Sequence, residues 1–316
     1  MQKWHAIAPS NIALIKYMGK RDSTINLPDN PSLSYTLDNL ISEVSIELSN
    51  FNQDTWEPLH VAGQPEISLS ASAQEKFLKH FAFLKEKFAI KNFFKIKSNN
   101  NFPHSSGIAS SASSFAALTK CAIAAFCELN NKSLPPIIEQ ASLSRIGSGS
   151  SCRSFFSPWA LWEDDIISKI DTHYEKLHHE VIIISKSPKN ISSSLAHQLI
   201  KTSPNYAARG QRAKINLKQL LKALNSKKWH DAYSICFAEF MDMHELFHTA
   251  EKSFSYINSE SESVLKLLKD LWQSEQDGPI ITMDAGPNIH LLYRLDQLEM
   301  ADYFKNRYLK GNFDVL

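Results

Sequence analysis

Residues 106–128, SGIASSASSFAALTKCAIAAFCE, run from a small, hydroxyl-rich start into an apolar body. Phe115, Leu118, Ala122, Ala125 and Phe126 recur at helical spacing. The run therefore predicts a helix with an inner face that other elements must cover. Candidate partners flank it. Residues 3–8, 43–49 and 93–98 read as strands by alternation or β-branched content, as does WALWE at 159–163. A short second helix is expected over 136–145. VIIIS at 181–185 is almost wholly apolar, the pattern of a strand buried on both faces. The polar HYEKLHHE before it reads as a loop or edge hairpin. Helices are expected at 206–224, 228–250 and 260–274. Strands follow at 279–283 and 289–293, joined by the turn Asp284-Ala285-Gly286-Pro287-Asn288. This mixture predicts an α+β fold in two lobes, 1–180 and 181–316.

Charge and cysteine usage narrow the function. The 316 residues carry 34 basic and 33 acidic side chains, a formal net charge of +1. A nucleic-acid binder would normally show a basic excess, so none is expected as a partner. Cys121, Cys127, Cys152 and Cys236 form no CxxC pair and fit reduced thiols in a cytoplasmic protein. The first 30 residues lack the basic head and apolar run of a signal peptide. No stretch approaches the roughly 18 uninterrupted apolar residues of a membrane span, so no membrane partner is expected.

Four segments carry chemistry. In the first, Lys16, Tyr17, Lys20 and Arg21 crowd together ahead of Asn26, Asp29, Asn30, Ser32, Ser34 and Thr36, with few residues that look like core. Three cations and a phenol suit a phosphate or diphosphate, although a solvated basic turn has the same composition. The second, NNNFPHSSGIASSASS (99–114), is a polar Gly/Ser loop entering a helix. Free N–H groups at such an entrance favour phosphate, and the GxxxxGK[ST] string is absent. The third, RIGSGSSCRS (145–154), places glycines and serines ahead of Arg153, a side chain able to grip a carboxylate or phosphate in two places. The fourth, TMDAGPN (282–288), sets Asp284 where a strand enters a tight turn, a site for a rigid catalytic carboxylate or for a turn-forming Asp.

In their order and spacing these segments resemble the mevalonate diphosphate decarboxylase family of the GHMP kinase superfamily. NIALIKYMGKRD, NLPDNPSLSYTL, FPHSSGIASSASSFAAL, GSGSSCRS and DAGPN carry the likeness. It implies a GHMP kinase fold, with an N-terminal lobe like ribosomal protein S5 domain 2 and a ferredoxin-like C-terminal lobe. It also implies a homodimer that uses ATP and Mg2+ to convert 5-diphosphomevalonate to isopentenyl diphosphate, ADP, phosphate and CO2. Asp284, Arg153 and Lys16 fall on catalytic positions. Tyr17, Lys20, Ser148, Ser150 and Ser193 fall on substrate-binding positions. Ser105, Ser106, Gly107, Ala109, Ser110 and Ser111 match the ATP phosphate loop, with Ser110 as a metal-ligand candidate. Met18 stands where the family usually has Trp, Ala196-His197 replaces a usual Gly-Met, and Ser194 takes the place of an arginine found in some bacterial members.

Besides a non-catalytic ligand-binding descendant of the family, two rival readings remain at this stage. One is a relative that acts on the monophosphate or only phosphorylates the C3 hydroxyl. The other is a zinc peptidase, because His244-Glu245-Leu246-Phe247-His248 matches HExxH. Tyr233, Phe237, Phe240, His244, Phe247 and His248 also make a plain amphipathic stripe.

Overall fold

The computed structural model describes residues 2–64, 66–102, 110–187 and 189–316. Its first half is built on a six-stranded sheet. The elements in order are β1 (Lys3–Ile15), β2 (Lys20–Asp22), β3 (Leu27–Pro28), β4 (Ser32–Leu48), β5 (Thr55–Pro58), α1 (Ala71–Lys87) and β6 (Phe94–Asn100). They continue with α2 (Ser110–Leu129), α3 (Ile137–Gly147), β7 (Trp159–Glu163) and β8 (Ile166–Ile170). A 3₁₀ turn, Gly149–Phe155, joins α3 to β7. The 17-residue β4 is the spine: β1 pairs along its length, β6 with its second half and β7 with its first. A register shift between Pro9 and Ser10 splits β1, and its inner half delivers Lys16 to the middle of the molecule.

The second half contains β9 (His178–Ile183), α4 (Ser193–Leu199), α5 (Arg209–Asn225), α6 (Trp229–His248) and α7 (Ser259–Glu275). It ends with β10 (Ile280–Met283), β11 (Ile289–Tyr293), α8 (Leu298–Phe304) and β12 (Asp314–Val315). Its sheet has the order β10-β11-β9-β12. The four-stranded sheet thus begins at His178.

Two cores organise these layers. Phe77, Phe81, Phe94, Phe115, Ala122 and Phe126 pack α1 and α2 onto the first sheet. The larger core joins Ile12, Leu14 and Leu33 to Leu217, Phe240, Leu268, Ile281 and Leu291, so it runs across both halves. α2 is long and apolar enough to cross a membrane, but 72% of its most apolar window is buried inside the protein, as for a core helix. All four cysteines are free and buried.

The structure corrects several expectations. Ser32, Ser34 and Thr36, in a segment with few residues that look like core, are nevertheless buried in β4. Two of the three hydroxyls are satisfied there: Ser32 Oγ accepts from Arg153 and Thr36 Oγ1 donates to the Phe156 carbonyl. The stretch HYEKLHHE is not wholly a loop or edge. His178–Glu180 enter β9, which lies between β11 and β12, and His179 is hidden by a 3.0 Å bond to His290. α1 was not anticipated, since Lys and Glu dilute its apolar side, Phe77, His80, Phe81 and Leu84.

α3 can approach α1 and α2 because it ends in glycine. A Cβ at Gly147 would stand 2.3 Å from Phe115 Cδ1 and 2.6 Å from His80 Cγ. Gly147→Ala is therefore expected to cost about 1–3 kcal/mol through overpacking. Urea unfolding should show a lower midpoint at unchanged slope; an unchanged midpoint would mean that the rings move aside freely.

Candidate active site

Lys16 and Asp284 each follow directly on a buried strand, β1 and β10. Their side chains meet, Lys16 Nζ donating to Asp284 Oδ1 at 2.7 Å. The Lys16 side chain is 1% exposed and that of Asp284 27%, so the pair has one open side. The backbone of Lys16 is held separately. Its N–H donates to Glu239 Oε1 at 3.1 Å, and its carbonyl accepts from Asn30 Nδ2 at 2.8 Å and Arg209 Nη2 at 3.3 Å. Arg209 pairs with both Glu239 and Asp242. On the other strand the Asp284 carbonyl accepts from Gly286 N–H at 2.8 Å and lies 3.2 Å from His244 Nε2.

Burial pulls the Lys16 pKa below its ordinary value, against the opposing pull of Asp284, Cys236 and Glu239. Burial pushes Asp284 upward, but Lys16, His290 and Arg153 together outweigh it and hold the carboxyl below its usual range. The carboxylate stays ionised at neutral pH.

Arg153 comes from the 3₁₀ turn and is 4% exposed. Nε donates to Asn11 Oδ1 at 3.1 Å and Nη1 to Ser32 Oγ at 2.9 Å. Among the described residues it has no carboxylate partner within salt-bridge distance. A buried guanidinium oriented only by neutral groups is prepared to take an anion.

These three side chains line one cavity of about 770 Å³. Its described lining contains seven cations, Lys16, Lys20, Lys76, Lys79, Arg153, Lys189 and Lys201, against the single carboxylate of Asp284. Burial and neighbouring Lys76 bring Lys20 down to about 8. Burial, aided by nearby lysines, lowers His80 and His197 to about 3, so both stay neutral. Tyr17 lies between the rings of Trp162 and His197, at centroid distances of 4.8 and 4.7 Å. A Cβ on Gly149 would come within 2.5 Å of the Tyr17 hydroxyl, which explains glycine there. Hydroxyls of Ser110, Ser111, Ser148, Ser150, Ser193 and Ser194 line the remaining wall. This chemistry suits a polyanion that carries several phosphates and a carboxylate.

Residues 8–171 match the diphosphomevalonate decarboxylase-like N-terminal domain, and residues 180–311 match the mevalonate 5-diphosphate decarboxylase C-terminal domain. The chain belongs to the mevalonate diphosphate decarboxylase family. The diphosphomevalonate decarboxylase of Saccharomyces cerevisiae is 30% identical over 313 residues, covering 90% of this chain and 76% of that one. A mevalonate diphosphate decarboxylase from Legionella pneumophila is 57% identical, with a TM-score of 0.94 over 100% of both chains. MDDEF in complex with MVAPP, AMPPCP and magnesium is 28% identical, with a TM-score of 0.85 over 99% of this chain and 95% of that one. The α+β architecture is accordingly the GHMP kinase fold of the decarboxylases.

Every site residue expected from the family and lying among the described residues is on the cavity wall: Lys16, Tyr17, Lys20, Ser110, Ser111, Ser148, Ser150, Arg153, Ser193 and Asp284. Ser105, Ser106, Gly107 and Ala109 lie outside the described residues. Met18, where the family usually has Trp, packs with Ala196, Met243, Phe247 and Ala285 behind the two lysines. Near Ser194 the cavity has Lys189 and Lys201, whose Lys189 Nζ also reaches the Ala285 carbonyl. Lys76, Lys79, Lys189, Lys201 and His197 were missed as site residues. The i,i+3 spacing of Lys76 and Lys79 was the only local signal, and it is common on any solvated helix.

The described lining fits magnesium held with a nucleotide. No group of three or more His, Cys, Asp or Glu side chains is arranged for a metal among the described residues. The ion takes most of its ligands from phosphates and water, so one hydroxyl such as that of Ser110 suffices from the protein.

The HExxH string has a different task. His244 is buried against Phe240, Phe247 and Tyr256 and meets the Asp284 carbonyl, whereas Glu245 and His248 are exposed. The two histidines therefore do not face one site, and the zinc-peptidase reading is set aside.

Asp284→Asn keeps the shape and removes the counter-charge of Lys16. The variant should lose about 3–5 kcal/mol near pH 6. Without Asp284 the folded-state pKa of Lys16 falls further below its unfolded value. Stability of the variant then recovers as pH rises and the folded lysine sheds its proton. Urea titrations at pH 6 and pH 9 should show a smaller wild-type advantage at the higher pH. An equal difference at both would show that Lys16 does not lose its proton in the variant between those pH values.

Proposed function

We propose that this chain carries out the ATP-dependent decarboxylation of 5-diphosphomevalonate, giving isopentenyl diphosphate, ADP, phosphate and CO2. The observation that carries the reading is the meeting of Lys16, Asp284 and Arg153 on one cation-rich cavity, within a chain of the decarboxylase family. In this reading Asp284, Arg153 and Lys16 are catalytic. Tyr17, Lys20, Ser148, Ser150 and Ser193 hold the diphosphate, and Ser110 and Ser111 face the nucleotide phosphates. Lys76, with its burial-lowered pKa, adds charge on the α1 side.

The chemistry follows from the residue types. The C3 hydroxyl attacks the terminal phosphorus of ATP; an O–P bond forms, the P–O bond to ADP breaks, and the hydroxyl proton passes by way of Asp284 to water on the open side of the pair. Asp284 accepts the hydroxyl hydrogen bond and orients it for attack. Lys16 offsets negative charge on the phosphoryl oxygens in flight. Magnesium, when bound with the nucleotide, neutralises part of the same charge. The C3–O bond then breaks with its electron pair leaving on phosphate. Electrons of the C1–C2 bond become the C2–C3 double bond, and CO2 departs. The ionised Asp284 favours positive charge at C3, and Arg153 keeps the carboxylate aligned until the bond breaks.

The same reading divides the chain into lobes near residue 180 and takes it as a cytoplasmic homodimer acting on small molecules. The buried, unpaired thiols support a reducing compartment.

Purified protein with ATP, Mg2+ and 5-diphosphomevalonate should release ADP and CO2 in equal amounts. ADP without CO2 would make it a 3-kinase, and preference for the 5-phosphate a monophosphate decarboxylase. Asp284→Asn should lower turnover by about 10²–10⁴-fold while ATP still binds; near-normal turnover removes Asp284 from the mechanism. The alkaline limb of kcat/KM should fall near pH 8 as free Lys20 loses its proton and the anion site loses a charge. Lys20→Arg, which cannot lose that charge, should shift the limb upward; an unmoved limb assigns it to another group.

A further inference from the structure

His197 stands on α4, which opens with Ser193 at the cavity. Its position owes nothing to the catalytic pair. The Gly19 N–H donates to His197 Nδ1 at 2.9 Å. An amide can only donate there, so Nδ1 carries the lone pair and the ring proton resides on Nε2. The imidazole also lies against Tyr17, at 4.7 Å between centroids. These two contacts fix the ring plane. The residue is 8% exposed and lines the cavity, yet Nε2 has no hydrogen-bond partner among the described residues. Nε2 is also absent from the polar atoms sealed from solvent, so it faces the open space.

Its neighbours define the ligand. Lys20 follows Gly19 directly, and Lys201 lies one turn beyond His197; both line the same wall. Two ammonium groups flanking a neutral N–H donor make a site for phosphate oxygens. Burial and the two lysines keep the imidazole uncharged, so it contributes direction rather than charge.

We propose that His197 is a substrate-binding residue whose Nε2–H donates to the diphosphate of the substrate, beside Lys20 and Lys201. The proposal rests on the decarboxylase reading for the identity of the substrate. His197 replaces a methionine usual in the family, so this contact distinguishes the present chain.

Two variants test it. His197→Leu removes both nitrogens with little loss of volume, and His197→Gln restores an N–H donor near Nε2. In His197→Leu the KM for 5-diphosphomevalonate should rise about tenfold or more, with kcat and the KM for ATP within about twofold. Affinity for inorganic pyrophosphate, titrated calorimetrically with AMPPCP on the nucleotide side, should fall to match. His197→Gln should recover part of both. Wild-type pyrophosphate affinity in His197→Leu, or a glutamine variant no better than the leucine one, overturns the proposal. Nitrogen-15 histidine spectra of the wild-type protein keep the test open if a variant misfolds. The His197 ring should show protonated Nε2 and bare Nδ1, and the Nε2–H signal should move downfield on pyrophosphate binding. A reversed tautomer or an unmoved signal overturns the proposal. A wild-type enzyme that turns over no mevalonate phosphate would defeat the functional reading, while the pyrophosphate and spectral results would still decide the role of His197.

Discussion

A buried ammonium needs a counter-charge, and Lys16 has one in Asp284, a residue 268 positions away. Taking such a charge out of water without a partner costs several kcal/mol. The ends of β1 and β10 must therefore meet if the chain is to fold with Lys16 ionised. The large core that unites the two halves brings those strands together, and the ion pair fixes where along the strands they touch. One side of the pair opens on the cavity. The interaction that joins the halves is thus the one left in reach of a ligand, so folding and chemistry use the same groups.

Charge is separated in space rather than in sequence. The chain is nearly neutral overall, with a net charge of +1, yet seven cations and one carboxylate line its principal cavity. Elsewhere the lysines and arginines find acids, as in Lys85–Asp54, Lys97–Glu57 and Arg294–Asp277. In the cavity burial lowers the pKa values of Lys20, Lys76 and Lys189, and neighbouring Lys76 adds to the effect at Lys20. A polyanionic ligand offsets those cations when it enters, and a focused positive field draws it in.

This arrangement explains what could be read in the chain beforehand. Asp284, Arg153 and Lys16 stood out because each sits in a Gly-, Ser- or charge-rich string with a family likeness. The long helix was legible too, since an apolar face at 3.6-residue spacing survives any tertiary context. α1 was not, because Lys76 and Lys79, exposed at the edge of the cavity, look like an ordinary solvated face. His197 stood out only as a departure from the methionine usual in the family, since a single histidine looks alike whether it faces solvent or a site. Ser32 and Thr36 were hard to place for a related reason: hydroxyls that are hydrogen-bonded inside a sheet have the same composition as a loop.

α6 shows how the site tolerates its own buried charges. Glu239 on this helix holds the Lys16 N–H, and His244, five residues on, meets the Asp284 carbonyl. Five residues of α-helix advance about 7.5 Å, so one rigid element sets the spacing of both backbones. Arg209, Asn216 and Asp242 in turn fix the Glu239 end. The catalytic geometry is therefore not held by the Lys16–Asp284 bond alone. The ammonium and the carboxylate can exchange that bond for contacts to a ligand while their main chains stay in place. The Glu239–His244 span of α6 serves as a ruler, and the first histidine of the string that looks like a metal motif is spent on a carbonyl partner rather than on a zinc ion.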